Sequence, residues 1–401
     1  MEIQDMLKMM RDPLGAPFFP VVFQVLLVVT WVLHIHFVTS AIGSSAYSIF
    51  AFLNKEADHL RLGRIAARLT PNMVGLGIVT GIAPLLFVQV IYDPLWYAAN
   101  TLTGFWSVTF IFVVMGGYSL AYLFYLKGSK DGRLLWSAVL SLCLLCFAGW
   151  VMHALHAVSI RPEQWTYWYA PGGVIDTRGV IFHAYDIPRL FFLLPLQAGL
   201  GFAITLLFVA WYLRQRADAD PVFLEWTANL GCRIGKTVSL LYGVAGLFWA
   251  SAEGPEFGLT AFIAVLTFGL SVGLYLFFKS VDKQPIQAGA KAIGVWFAAL
   301  LLVAIAREVI RTISLGRFDY SVANYPYIID WGSVLMFGVT SIAGVSVVAY
   351  LVMVIYQAGL SADGTVSAKT ERFGRIATGL LGAWFGFFLL VGLYTALFLQ
   401  Q

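Results

Sequence analysis

The sequence predicts an all-α membrane protein: a polytopic transmembrane bundle of about ten helices with both chain ends on the outer side. Three observations carry this. Of 401 residues, 60% are hydrophobic and only 11% charged, and mean hydropathy is +0.82, whereas a soluble domain carries about 25% charged residues. Apolar runs long enough for spans of roughly 20 residues recur along the whole chain. The basic residues between those runs fall in alternate loops. Without a polar surface to cover itself, such a chain needs lipid as its solvent. No polar block is long enough to fold alone, so residues 1–401 form one membrane domain.

In chain order, residues 1–13 mix Glu2, Asp5, Lys8, Arg11 and Asp12 with Ile3, Met6, Leu7, Met9 and Met10. That pattern predicts a short amphipathic helix at the membrane interface, with no cleavable signal peptide. Spans follow at 19–52, 72–92, 102–126 and 134–158, a first group of four that holds His34, His36, His153 and His156. A second group lies at 187–213, 235–251, 257–279 and 287–312, its second member short and weakly bounded. Two C-terminal helices, 329–357 and 374–400 within residues 329–400, complete the set. One series of loops holds Lys55, Arg61, Arg64 and Arg68, then Lys127, Lys130 and Arg133, then Arg214, Arg216, Arg233 and Lys236, then Lys279 and Lys283, then Lys369, Arg372 and Arg375. The other holds Asp93, the long 159–186 segment, Glu253 with Glu256, and Asp319 with Asp330. The basic series marks the cytoplasmic face, which places both termini outside. The outer segments 159–186, rich in Trp165, Tyr167, Trp168 and Tyr169, and 313–328 are expected to anchor at the interface or to cap an outer-side site.

Net charge is +4, spread over several loops rather than gathered in one patch, which excludes nucleic-acid binding. Cys143 and Cys146 have CxxC spacing but lie inside an apolar span, where they read as packing, and no CxxCH attaches a c-type haem. No internal repeat of the transporter kind is visible.

Ionisable groups inside a bilayer are expensive, so each is a functional candidate. The first span carries His34 and His36, the fourth His153 and His156, and the eighth Arg307, Glu308 and Arg311. His153 and His156 are three apart and share a helix face, whereas His34 and His36, two apart, point to different sides. Neutral imidazoles from two helices are a common way to hold b haem, which makes His36, His153 and His156 the candidate iron ligands, with His34 an alternative to His36. Buried histidines bonded to hydroxyls and carbonyls are the plainer reading. Arg307 and Arg311, one turn apart near the outer end, suit haem propionates or another anion, or else an internal pair with Glu308. His36 lies some sixteen residues into its span and His153 about five from the outer end of its own, so their depths match only if the first span starts well outside the hydrocarbon.

These residues resemble subunit I of the cytochrome bd quinol oxidases. HFVTSAIGSSAYSIFAFLNK from His36 is similar to that family's first helix, whose histidine binds haem. NMVGLGIVTGIAPLLFVQVIYDPLW from Asn72 is similar to its G-x-x-T-G-I-P segment, FAGWVM from Phe147 to its Gly-Trp-Met, and AREVIR from Ala306 to its A-E-x-G-R. The order agrees over residues 20–330. The resemblance implies one or two b haems, a quinone, Glu308 and Arg311 at the haem site, and a place in the bacterial inner membrane beside other subunits of a redox complex, with c-type cytochromes as candidate partners at the outer face. The departures are equally specific. Span 102–126 lacks the family's carboxylates, no histidine stands near Phe192, 257–279 has no methionine, the long outer quinol loop shrinks to a few residues around Glu253–Glu256, and a tenth helix is added. The expected function is therefore a b-type cytochrome-like subunit that moves electrons between the quinone pool and a partner. A quinol-oxidising terminal oxidase, a haem-free anchoring subunit, and a transporter using Gln89 and the charges of span 287–312 remain as alternatives.

Overall fold

A computed structural model describes residues 2–183, 186–361 and 363–398. Among them the secondary structure is helical, with one isolated bridge between Ala16 and Tyr327. A short α1 (Ile3–Met9) precedes α2 (Pro20–Asn54) and α3 (Ala57–Ile91). Then come α4 (Asp93–Leu102), α5 (Gly104–Leu123), α6 (Leu135–Ser159), α7 (Trp165–Tyr169), α8 (Ile187–Phe191), α9 (Gln197–Leu213), α10 (Pro221–Ala252), α11 (Gly254–Phe257), α12 (Thr260–Val281), α13 (Gly289–Gly316), α14 (Trp331–Leu360) and α15 (Ala368–Phe398).

Among the described residues, nine helical segments are long and apolar enough to cross a membrane, α8 and α9 counting as one through the wide turn Phe192–Leu196. Pro195 explains that turn, because it cannot donate the backbone hydrogen bond an α-helix requires there. The tenth expected span is the second half of α10. The helix is 32 residues long, but Arg233 and Lys236 in its first half dilute its apolar character. Its start is explicit: Pro221 occupies the first turn and the Asp220 carboxylate accepts from Phe223 N.

The central helix is α9, with Leu200, Ala203, Ile204, Leu207 and Ala210 fully buried. It packs against α2, α10 and α13, so α2 joins the two four-helix groups into one core rather than belonging to the first alone. Small residues bring the backbones together, as membrane helices require. A Cβ at Gly43 would lie 2.6 Å from the Ala198 carbonyl oxygen, and one at Gly246 2.3 Å from the Thr267 side chain. By contrast α14 and α15 pack mainly on each other and leave most of their apolar surface facing outward.

A cap covers the outer end. Leu7 of α1 is buried beside Phe23, Ile91, Tyr92 and Tyr320, so the amphipathic N-terminal helix turns its apolar edge onto the protein. Ala16 N donates to the Pro326 carbonyl, Lys8 pairs with Asp319, and Arg11 lies over the rings of Tyr320 and Tyr325. Of the outer aromatics, Trp165 and Trp168 are buried, Trp165 donating to the Val158 carbonyl, while Tyr167 and Tyr169 face out.

Candidate functional site

Beneath the cap, the outer ends of α6, α8, α10 and α13 enclose a buried ionic network. The Asp186 carboxylate caps α8 by accepting from Arg189 N at 3.1 Å, which fixes the first turn and turns Arg189 inward. Arg189 Nη1 donates to Glu253 Oε1 at 3.0 Å, with both side chains almost wholly buried, and the Trp249 indole donates to the other Glu253 oxygen. Arg189 Nη2 stands 2.6 Å from His156 Nε2. On α13, Arg311 Nη1 donates to Glu308 Oε1 at 2.6 Å, and Tyr92 OH donates to Glu308 Oε2 at 2.9 Å. Gln24 in turn donates to Tyr92 OH at 3.2 Å.

Electrostatics add an acid pair at the rim. Burial, then the hydrogen bond and charge of Glu253, push the Asp186 carboxyl up to about 8. Burial opposes the charge on Glu253 as well, but Arg189, Asp186 and Trp249 outweigh it and hold its carboxyl below the usual range. Arg189 pairs with Glu253 and Arg311 with Glu308. Among the described residues Arg307 pairs with no carboxylate: its guanidinium lies 4.1 Å from the centre of the Trp31 ring, and its Nε is buried without a hydrogen-bond partner. Such a surplus cation at the bilayer level suits an anion.

The sequence-derived candidates separate into two places. His156, Glu308 and Arg311 meet in the network, and Arg307 stands beside it. His156 does not offer a free ligand nitrogen: Arg311 Nη2 faces its Nδ1 at 3.4 Å, arginine only donates, and neutral imidazole has one acceptor nitrogen, which the Arg189 contact occupies. His153 is buried, and its Nε2 meets no hydrogen-bond partner among the described residues. A free buried imidazole nitrogen is available to a metal ion. His36 lies elsewhere, its ring packed at 4.9 Å on Phe297 of α13 and 5.1 Å on Phe37, with Nδ1 buried and unpartnered. Trp31, which meets Arg307, is one and a half turns outward of His36, about 7 Å along α2. His34 faces α3, its Nδ1 2.8 Å from the Gly77 carbonyl oxygen.

Arg189 and Asp186 escape notice in the sequence, although Arg189 stands three residues into an apolar run and so carries the same intramembrane-charge signal as Arg307. The Asp186–Glu253 pairing has no local signal at all. Among the described residues no three His, Cys, Asp or Glu side chains converge as a metal-ion site. A haem iron needs only one or two protein ligands. His153 with Arg307, and His36 within its aromatic walls, fit that smaller demand.

No protein-family profile matches this sequence, and no curated protein matches it. A solved structure does. The chain is similar to a chain of the bd oxidase from Geobacillus thermodenitrificans, with a TM-score of 0.56 over 84% of this chain and 99% of that one, at 14% identity. The two chains share a fold. The bd-oxidase-like helical bundle expected from the motifs is therefore present, in a multi-pass membrane protein, and the chemistry rests on this chain's own residues.

Proposed function

We infer that the chain is a haem-bearing electron-transfer subunit of a membrane respiratory complex in the bacterial inner membrane, passing electrons between the quinone pool and a redox partner at the outer face. The observation that carries this is the outer cluster: a buried histidine whose Nε2 has no partner, and an arginine, Arg307, that pairs with no carboxylate, both among the described residues. Those are the two things a b haem asks of a protein, an axial nitrogen and a counter-charge for its propionates. When bound, the haem supplies reversible one-electron storage. His153 would be the outer ligand, through its unpartnered Nε2. Arg307, held on Trp31, with Arg311, held by Glu308, receives the propionate charge. His36 is the ligand of a second, deeper haem position, as the bd resemblance implies, with Phe297 excluding water. Nothing in the structure favours a c-type cytochrome over another redox protein as the outer partner.

The test is a pyridine haemochrome assay with a dithionite-reduced minus oxidised spectrum on the purified complex. About one b haem or more per chain is expected, lowered by His153→Ala and by His36→Ala but not by His183→Ala. A folded chain in its complex without haem would leave the anchoring-subunit reading in its place.

A further inference from the structure

At the end of the bundle opposite the ionic network, the first half of α10 carries a polar stripe. Val222, Glu225, Asn229, Arg233 and Lys236 recur at steps of three and four residues, so they share one helix face. With Trp226 and Asp282 they line an open groove of about 670 Å³. Lys236 Nζ donates to Asp282 Oδ2 at 2.7 Å and ties the groove to the end of α12. Glu225 and Arg233 are exposed, and among the described residues neither has an ion-pair or hydrogen-bond partner. They stand about 12 Å apart along the helix axis.

Depth, continuity and charge define what this groove can take. Arg233 precedes the end of α10 at Ala252 by about 29 Å, close to the roughly 30 Å of a bilayer's hydrocarbon layer. With Ala252 at one membrane surface, Arg233 reaches the other at the level of the lipid phosphates, and Glu225 lies just beyond it. Toward Ala252 the stripe runs on as Leu240, Val244 and Leu247, at the same three- and four-residue steps and each about half exposed. One helix face thus joins a charged groove to an apolar track, as a phospholipid joins its headgroup to its chains. The lining holds two acids, Glu225 and Asp282, and two bases, Arg233 and Lys236. A headgroup of net negative charge would meet an unopposed carboxylate, whereas a headgroup carrying both charges answers each.

We propose that the groove holds the headgroup of a zwitterionic aminophospholipid, of the phosphatidylethanolamine type, with its phosphodiester on Arg233 and its ammonium on Glu225. The guanidinium presents parallel donors to two phosphate oxygens. The ammonium donates to the Glu225 carboxylate, which a choline headgroup, lacking an N–H, cannot do. Two long side chains and a hydrogen bond of about 2.8 Å at each end close the distance between the two charges. Trp226 lies at the headgroup level, where an indole is at home, and the acyl chains run along Leu240, Val244 and Leu247. The site stands apart from the outer network, so it does not depend on the electron-transfer reading.

The test is a zero-length cross-link. The full chain is placed in nanodiscs of phosphatidylcholine with a minor share of phosphatidylethanolamine and treated with a water-soluble carbodiimide, which joins a carboxylate to a primary amine in contact with it as an amide. After proteolysis, the peptide carrying Glu225 is expected to gain the mass of phosphatidylethanolamine about fivefold more often than the peptide carrying Glu371, an exposed carboxylate in the first turn of α15; that ratio is the size of one partly exposed ion pair. Equal yields at the two carboxylates would overturn the site. Arg233→Ala is expected to lower the Glu225 conjugate to the Glu371 level, while Arg233→Lys keeps most of it. An unchanged yield in Arg233→Ala would overturn the phosphate contact. Excess phosphatidylglycerol is expected to leave the conjugate in place; its loss would reduce the groove to a general phosphate contact and overturn the zwitterion.

Discussion

The outer and inner halves of this bundle bury polar groups in opposite ways. Outside, between α6, α8, α10 and α13, the protein buries arginines, carboxyls and histidines in one network. Inside, around α2 and α9, it buries hydroxyls, and ion pairs such as Arg61–Asp220 and Lys236–Asp282 lie partly open to solvent. A buried charge is tolerated only when each partner is present, so the outer half depends on every member of its network. A hydroxyl satisfies itself on its own helix, so the inner half tolerates change.

The largest expected break in that contrast is Glu253→Ala. It strands Arg189 and the Trp249 indole in a buried site and is expected to cost about 3–5 kcal/mol, read as a steep fall in melting temperature in detergent; a shift as small as that of a surface variant would refute the network. Next is Gly43→Val in the inner half. The added side chain meets the Ala198 carbonyl and Phe202, so α2 and α9 must separate at a cost of about 1–3 kcal/mol, checked by the same melt.

The acid pair sharpens the contrast through pH. The folded Asp186 carboxyl stands near 8, above an unfolded value of about 3.9, so the folded state binds its proton more tightly. The stability this contributes is complete below about pH 4 and is lost as pH rises through about 8. Asp186→Asn is expected to flatten the pH dependence of the melting temperature across that window; a slope equal to the parent's would show that another group titrates. The smallest effect is expected at the cytoplasmic surface, where Arg61→Ala removes a solvent-screened pair and should leave the melting temperature unchanged within error.

Much of the fold was legible because a spanning helix is a local event. Apolar runs marked nine of the helices, and α10 was the uncertain one for the reason the sequence shows, Arg233 and Lys236 inside it. The site was legible only in part. Arg307, Glu308 and Arg311 stood out as charges in an apolar run, and Glu308 and Arg311 do pair. Arg189 carried the same signal close to a helix start, where a charge also reads as belonging to the loop. The four histidines looked alike in sequence and proved unlike in surroundings: His34 on a carbonyl, His36 among phenylalanines, His153 buried with its Nε2 free among the described residues, His156 between arginines.

By itself the sequence determined the class of protein and the order of its spanning helices, because hydrophobic transfer acts residue by residue and needs no partner. Only the tertiary structure decided that Arg189 meets Glu253 and His156, and that α1 closes over the outer end. Those outcomes depend on which helix faces meet, and the depth and rotation of one helix against another are set by packing among residues far apart in the chain.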